Sequence, residues 1–424
     1  MNTRVVDQTA DPADDLPSLM AHLDASVSPR HSVEHASRVL ASAGFVGVED
    51  LESDPPQRGF LTRAGLLVAW VRGDVDRFRV AGAHTDSPCL RIKPRPDLSQ
   101  HGWRQWGVEV YGGILNNSWL DRDLGVAGVA IDADGREHLV RSPSAVARVP
   151  QLAVHLDRDV NERGLVLDRQ QHLLPVIGLG ENGARFEDLL ADWSGITRGS
   201  IRSFEVSMFD VQPAARIGVD ADLLASGRID NQVSCWSSVR ALLERASMDD
   251  GPTAVVALFD HEEVGSESTT GASGPWLEWI LERLHGGSRH SLHDALSRSA
   301  CLSVDCAHGV HPNYPERHDP ANRPRLDQGP VLKINANQRY ATSPETAALF
   351  ARSCEAAGVS WQTFVSRNNV PCGSTIGPLA STRLGVPTAD VGLAQLSMHS
   401  ARELCGTHDP TSLRRAIESF FTQP

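Results

Sequence analysis

Thr253-Ala254-Val255-Val256-Ala257-Leu258-Phe259 runs without a break into Asp260-His261-Glu262-Glu263-Val264-Gly265-Ser266. The first seven residues are apolar, partly β-branched and preceded by Gly251-Pro252, which predicts a short buried strand. Acidic groups at the end of such a strand stand where open α/β sheets gather ligands and catalytic groups. Two adjacent carboxylates there repel each other unless a strong positive charge lies between them and a substrate. A metal ion meets that need, with one glutamate as ligand and the other as general base. A Glu-Glu pair by itself is commonly a solvated face, so the reading depends on the rest of a site.

Working outward, Gly65–Val71 and Arg77–Ala83 also read as strands, and the second leads directly into His84-Thr85-Asp86. Asn231 to Ala246 carries Val233, Trp236, Val239, Leu242 and Leu243 on one helical stripe, with Asp230 at its start. Helices are expected near 276–285 and 344–357, and strands near 301–305, 329–335 and 387–393. Leu16, Leu19, Met20 and Leu23 give the first 45 residues or so a helical pattern. Strands alternating with helices imply an α/β fold, with a mainly parallel central sheet flanked by helices. From Leu90 to Arg228 the texture is instead that of short strands separated by Gly-rich or acidic turns. The expected organisation is a discontinuous catalytic domain, 1–90 and 228–424, interrupted by a β-rich domain, 91–227.

A chain of 424 residues exceeds one ordinary core, which favours two domains. Its formal charge of −13 argues against nucleic acid or an anionic membrane as partner. No apolar run approaches the ~18 residues of a membrane span. The opening MNTRVVDQTADPADD is acidic and lacks the apolar core of a signal peptide. Seven cysteines without a CxxC pair read as reduced thiols in a cytoplasm. Of 40 basic residues only Lys93 and Lys333 are lysines, so a compact ammonium is a rarity in this chain.

His84 can offer a neutral ring nitrogen to a divalent ion, and Asp86 can accept its other N–H and fix the tautomer. Asp230 opens a helix, Asp305 ends an apolar run and His399 follows a strand. Each alone is an ordinary cap or loop residue. Together with one of the two glutamates they suit two Zn²⁺-like ions bridged by Asp230, with the histidines divided between them. About +4 from the ions against −3 from the carboxylates leaves room for a bridging hydroxide. One glutamate is then the ligand and the other the general base; Glu262 as base and Glu263 as ligand is a chemical guess that the residues alone leave open.

Seven ordered segments resemble the aspartyl aminopeptidases, cytosolic metallopeptidases with paired zinc ions. They are AGAHTDSPCL (81–90), RIDNQVSCW (228–236), LFDHEEVGSES (258–268), HGVHPNYPERH (308–318), GPVLKINANQRYA (329–341), RNNVPCGSTIGP (367–378) and LSMHSARE (396–403). The resemblance implies a fold of the zinc exopeptidase type whose β-rich insertion is a dimerisation domain. It implies His84, Asp230, Glu263, Asp305 and His399 as ligands of two Zn²⁺ per subunit, Glu262 as base and Asp86 as partner of His84. It further implies His308, Lys333 and Tyr340 as substrate contacts and His155 as a residue reaching into a neighbouring subunit's site. The expected assembly is a homododecamer built from dimers, and the expected substrates are peptides with a free N-terminus.

On that basis Lys333 would read an acidic N-terminal side chain, a charge-assisted bond of ~1.5–3 kcal/mol, or about 10–100-fold in specificity. Two other readings stay open: a broad-specificity aminopeptidase or N-deacylase of the same chemistry, and an inactive self-assembling shell. Mn²⁺ or Co²⁺ can also occupy such N/O sites.

Overall fold

The computed structural model of the chain describes residues 15–51, 54–248 and 250–423. The opening fourteen residues, read above as free of a signal peptide, lie outside them. The strand Pro252–Phe259 sits inside a nine-stranded sheet, paired parallel to Asp74–His84 and antiparallel to Leu66–Val71. Ala300–Val304 and Thr388–Gly392 continue the parallel run beyond Asp74–His84. Four neighbouring strands therefore end on the same side of the sheet.

Pro252–Phe259 is buried at every residue, because both faces of the sheet are covered. Ala254, Val256 and Leu258 face a core shared with the helices Ile229–Arg245, Pro344–Ala357 and Asp409–Thr422. Val255, Ala257 and Phe259 face the opposite core, under Trp276–His285, Arg289–Ser297 and Ile376–Leu384. The two-residue strand period divides one apolar run between two helical layers. Each fully buried Val, Leu or Phe there contributes about 1.5–3 kcal/mol.

A six-stranded antiparallel sheet is drawn from residues 89–210, with Trp106, Phe186 and Leu190 in its core. One of its strands, Cys89–Gln100, runs through Lys93 and the prolines on either side of Arg95. Pro94 and Pro96 lack the N–H a ladder needs, and pairing with Trp103–Tyr111 is interrupted between Ile92 and Asp97, where a bulge admits them.

A smaller five-stranded sheet was not anticipated. It joins Ala215–Ile217 and Leu223–Ser226 to Glu403–Gly406, Ala394–Leu396 and Ala307–His308. Leu223–Ser226, inside the span read as insertion, thus pairs with Glu403–Gly406 near the end of the chain. Among the described residues no helix is long and apolar enough to cross a membrane.

Candidate metal centre

The ends of the parallel strands deliver most of the acidic and imidazole groups singled out in the sequence. His84 is the last residue of its strand and Asp305 immediately follows Ala300–Val304. After Phe259, His261 adopts φ 63° and turns the chain into the short helical turn Glu262–Val264. Asp230 lies at the irregular start of Ile229–Arg245, and His399 lies in the loop after Ala394–Leu396.

Three overlapping sets of these groups lie close enough to hold an ion, His84–Asp230–Asp305, Asp230–Glu263–His399 and His84–Glu262–Glu263, and the first two are half-sites that share Asp230. His84 Nε2 lies 3.4 Å from Asp230 Oδ1 and 3.6 Å from Asp305 Oδ1. His399 Nε2 lies 3.6 Å from Asp230 Oδ2 and 3.4 Å from Glu263 Oε2. A tetrahedral ion bound at ~2.0–2.1 Å sets its donors about 3.4 Å apart, so both groups have the spacing of a zinc shell. Asp230 Oδ1 and Glu263 Oε1 are buried without a hydrogen-bond partner, as expected of oxygens reserved for an ion. The donor set fits two divalent cations.

Both imidazoles are held with Nε2 facing the carboxylates. His399 Nδ1 lies 3.0 Å from the carbonyl oxygen of Gly113 and His84 Nδ1 lies 3.0 Å from that of Asp86. A carbonyl can only accept, so Nδ1 carries the proton and Nε2 is free to ligate. Asp86 Oδ1 is a second acceptor for His84 at 3.3 Å. The Asp86 carboxylate also receives the main-chain N–H groups of Glu262 and Glu263, each at 3.1 Å, and the hydroxyl of Tyr111 at 2.7 Å. It anchors the Glu262–Glu263 turn as much as it orients His84.

Protonation follows from burial set against neighbouring charge. Burial disfavours charged imidazole, yet the carboxylates outweigh it: His399 is pushed up to about 9, and His84 is also raised. Burial raises Asp230, but His399 and His84 more than offset it and hold the carboxyl below its ordinary range. A divalent ion would take the place of the imidazole protons. Burial, opposed by His84 and reinforced by Asp305, Asp86 and Asp230, pushes Glu262 up to about 8.

The site opens into a cleft of about 660 Å³ lined by His84, Glu262, His308, Lys333, Tyr340 and His399, among others. Lys333 is 1% exposed; its ammonium donates to Asp305 Oδ2 at 3.3 Å and to the Cys306 carbonyl at 3.1 Å, and lies 5.1 Å from the Tyr340 ring centroid. His155 does not join the cleft: it lies on the exposed turn Val154–Leu156. Tyr111 and Glu403 were not foreseen. Glu403, 2% exposed, accepts the N–H of both Asp230 and His399. The available signal for it was an acid opening a short, otherwise uncharged strand, four residues after His399.

The family model of aminopeptidase I zinc metalloproteases (M18) matches residues 22–421. The chain is 48% identical over 416 residues to a probable M18 family aminopeptidase 2 of Streptomyces coelicolor, covering 95% of this chain and 96% of that protein. Its fold is similar to Ape4 in a complex with Nbr1, with a TM-score of 0.91 and 33% identity over 96% of this chain and 85% of the other. It is also similar to the mApe1 dodecamer of S. cerevisiae, with a TM-score of 0.85 and 25% identity over 96% of each chain.

Proposed function

This chain belongs to the M18 family of aminopeptidase I zinc metalloproteases and is a metalloaminopeptidase, a hydrolase of peptide bonds. From that premise we propose that it removes acidic residues, Asp or Glu, from free peptide N-termini with two Zn²⁺ ions per subunit. The observation that carries the two-metal reading is the carboxylate of Asp230, which places one oxygen in the group with His84 and Asp305 and the other in the group with His399 and Glu263. Bound there, the ions would act as Lewis acids towards the scissile carbonyl and acidify the attacking water. Mn²⁺ or Co²⁺ suit the same donors.

Glu262 takes the proton from that water and returns it to the nitrogen of the leaving amine. Asp86 holds the Glu262 N–H and thereby its approach to the cleft. His308 and Tyr340 contact the N-terminal residue, and Lys333 reads its carboxylate. An ammonium has three donors, and two are engaged by Asp305 and Cys306, which leaves one for substrate.

We assign the 91–227 unit to dimerisation and the assembly to a homododecamer of dimers, with His155 serving a neighbouring site. Leu152, Leu156 and Val166, exposed by 60%, 75% and 78%, flank His155 and support a covered face there. The seven unpaired thiols support a cytosolic setting. A broad-specificity aminopeptidase is the second reading, favoured by the engagement of Lys333 with Asp305. Zinc stoichiometry together with kinetics on N-terminal Asp, N-terminal Leu and N-acyl substrates tests both. An active preparation that is indifferent to exhaustive chelation would refute the metal reading.

A further inference from the structure

Three of the five proposed ligands, His84, Glu263 and Asp305, stand at or just past the ends of strands in the nine-stranded sheet; Asp230 and His399 do not. Asp230 enters from the start of a helix and His399 from a loop, and both are main-chain irregularities. Asp230 and Asn231 depart from helical φ/ψ inside their helix, and Arg228 before them has φ 61°. His399 itself has φ 68°, in the left-handed region that non-glycine residues rarely occupy. A non-glycine residue at positive φ, as Arg228 and His399 are, persists only where its surroundings hold it.

Glu403 bonds to both segments. It opens the strand Glu403–Gly406 of the five-stranded sheet, opposite Ser226, and so belongs to neither helix nor loop. Its Oε2 accepts the Asp230 N–H at 2.9 Å, and its Oε1 accepts the His399 N–H at 2.7 Å. We propose that Glu403 is a positioning residue of the metal centre, one buried carboxylate that fixes the main chains of Asp230 and His399 together. The proposal rests on the two-metal reading above. It bears most on the half-site of Asp230, Glu263 and His399, since Glu403 holds the main chains of two of its three residues but only that of Asp230 in the half-site of His84 and Asp305. A carboxylate is needed because both of its oxygens accept. A glutamine at 403 would turn an NH₂ donor towards one of the two N–H groups and lose that bond.

The test measures Zn²⁺ binding by competition with a chromophoric chelator, for the wild-type chain and Glu403→Gln, alongside thermal unfolding of each in excess chelator. The wild type is expected to bind two ions. Glu403→Gln should keep one tight ion and bind the other about 10–100-fold more weakly, as loss of a ligand's supporting partner does. Its unfolding temperature without metal should stay close to that of the wild type. Unchanged affinities for both ions would overturn the proposal. So would equal weakening of both in a chain that also melts early, the mark of a general fold staple. A wild-type chain that binds no zinc would overturn the metal reading, and this proposal with it. Glu403→Asp keeps the charge but withdraws it by one methylene. Selective weakening of one ion is expected there too, and the same binding data decide the matter if the glutamine variant does not fold.

Discussion

The hydroxyl of Tyr111 donates to Oδ2 of Asp86 at 2.7 Å, so a strand of the six-stranded sheet supports the carboxylate behind the metal centre. Asp86 in turn receives the N–H groups of Glu262 and Glu263. A hydrogen bond to a charged group is worth ~1.5–3 kcal/mol, and part of that loss should reach the base through the turn it anchors. Tyr111→Phe is expected to lower kcat about 10-fold with little change in KM or zinc content. Asp86→Asn should cost more, since its NH₂ meets one of the two N–H groups. Steady-state kinetics with metal analysis checks this; a Tyr111→Phe enzyme of wild-type kcat would dismiss the coupling.

Glu262→Gln separates base from ligand. Glu263, not Glu262, is the glutamate beside His399, at 3.4 Å, whereas Glu262 Oε2 lies 4.0 Å from His84 Nε2. Zinc content should stay near wild type while turnover falls about 10²–10⁴-fold, the range expected for a lost general base. Loss of an ion in this variant would exchange the two roles.

The strands that frame this site were legible because they are buried on both faces. An uninterrupted apolar run such as Pro252–Phe259 announces itself, and the structure extends the expected strand by one residue. Expected helices near 276–285 and 344–357 match Trp276–His285 and Pro344–Ala357. Cys89–Gln100 was illegible because its prolines are tolerated only through a bulge, a property of its pairing with another strand. The clustered acidic and imidazole residues were legible where a sharp motif ends a strand, as at His84 and Glu262-Glu263. Glu403 and Tyr111 were not, because their roles depend on partners far away in sequence, 173 residues from Asp230 in one case. No local pattern records a contact of that kind.

Lys333→Met tests charge reading in the cleft. The ammonium already holds Asp305 Oδ2 at 3.3 Å; burial lowers its proton affinity, but Asp305, Asp390 and Asp230 outweigh that and keep it charged. With its remaining donor lost, kcat/KM for N-terminal Asp and Glu should fall about 10–100-fold further than for Leu or Ala. Equal losses on all substrates would restrict Lys333 to orienting Asp305 and favour the broad-specificity reading.

Acid should loosen the fold through His22. Its Nε2 lies 3.2 Å from Gln232 Oε1, and the Gln232 amide donates to the carbonyl of Thr85 at 2.7 Å, next to His84. Burial, with the charge of His35 adding, lowers His22 from 6.5 to about 3, and burial with nearby arginines lowers His31 to about 4. The folded chain keeps both rings neutral where the unfolded chain binds protons. Their contribution is therefore complete above pH 6.5 and is lost as pH falls through that value towards 3. At ~1.4 kcal/mol per pH unit, His22 alone should cost about 2 kcal/mol between pH 7 and pH 5. Chelator keeps metal release out of the measurement, and His22→Gln retains a donor towards Gln232 but cannot titrate. Denaturant unfolding in chelator should show a shallower loss of stability from pH 7 to pH 5 in His22→Gln than in the wild type. Parallel pH profiles for the two chains would remove His22 as the source of acid sensitivity.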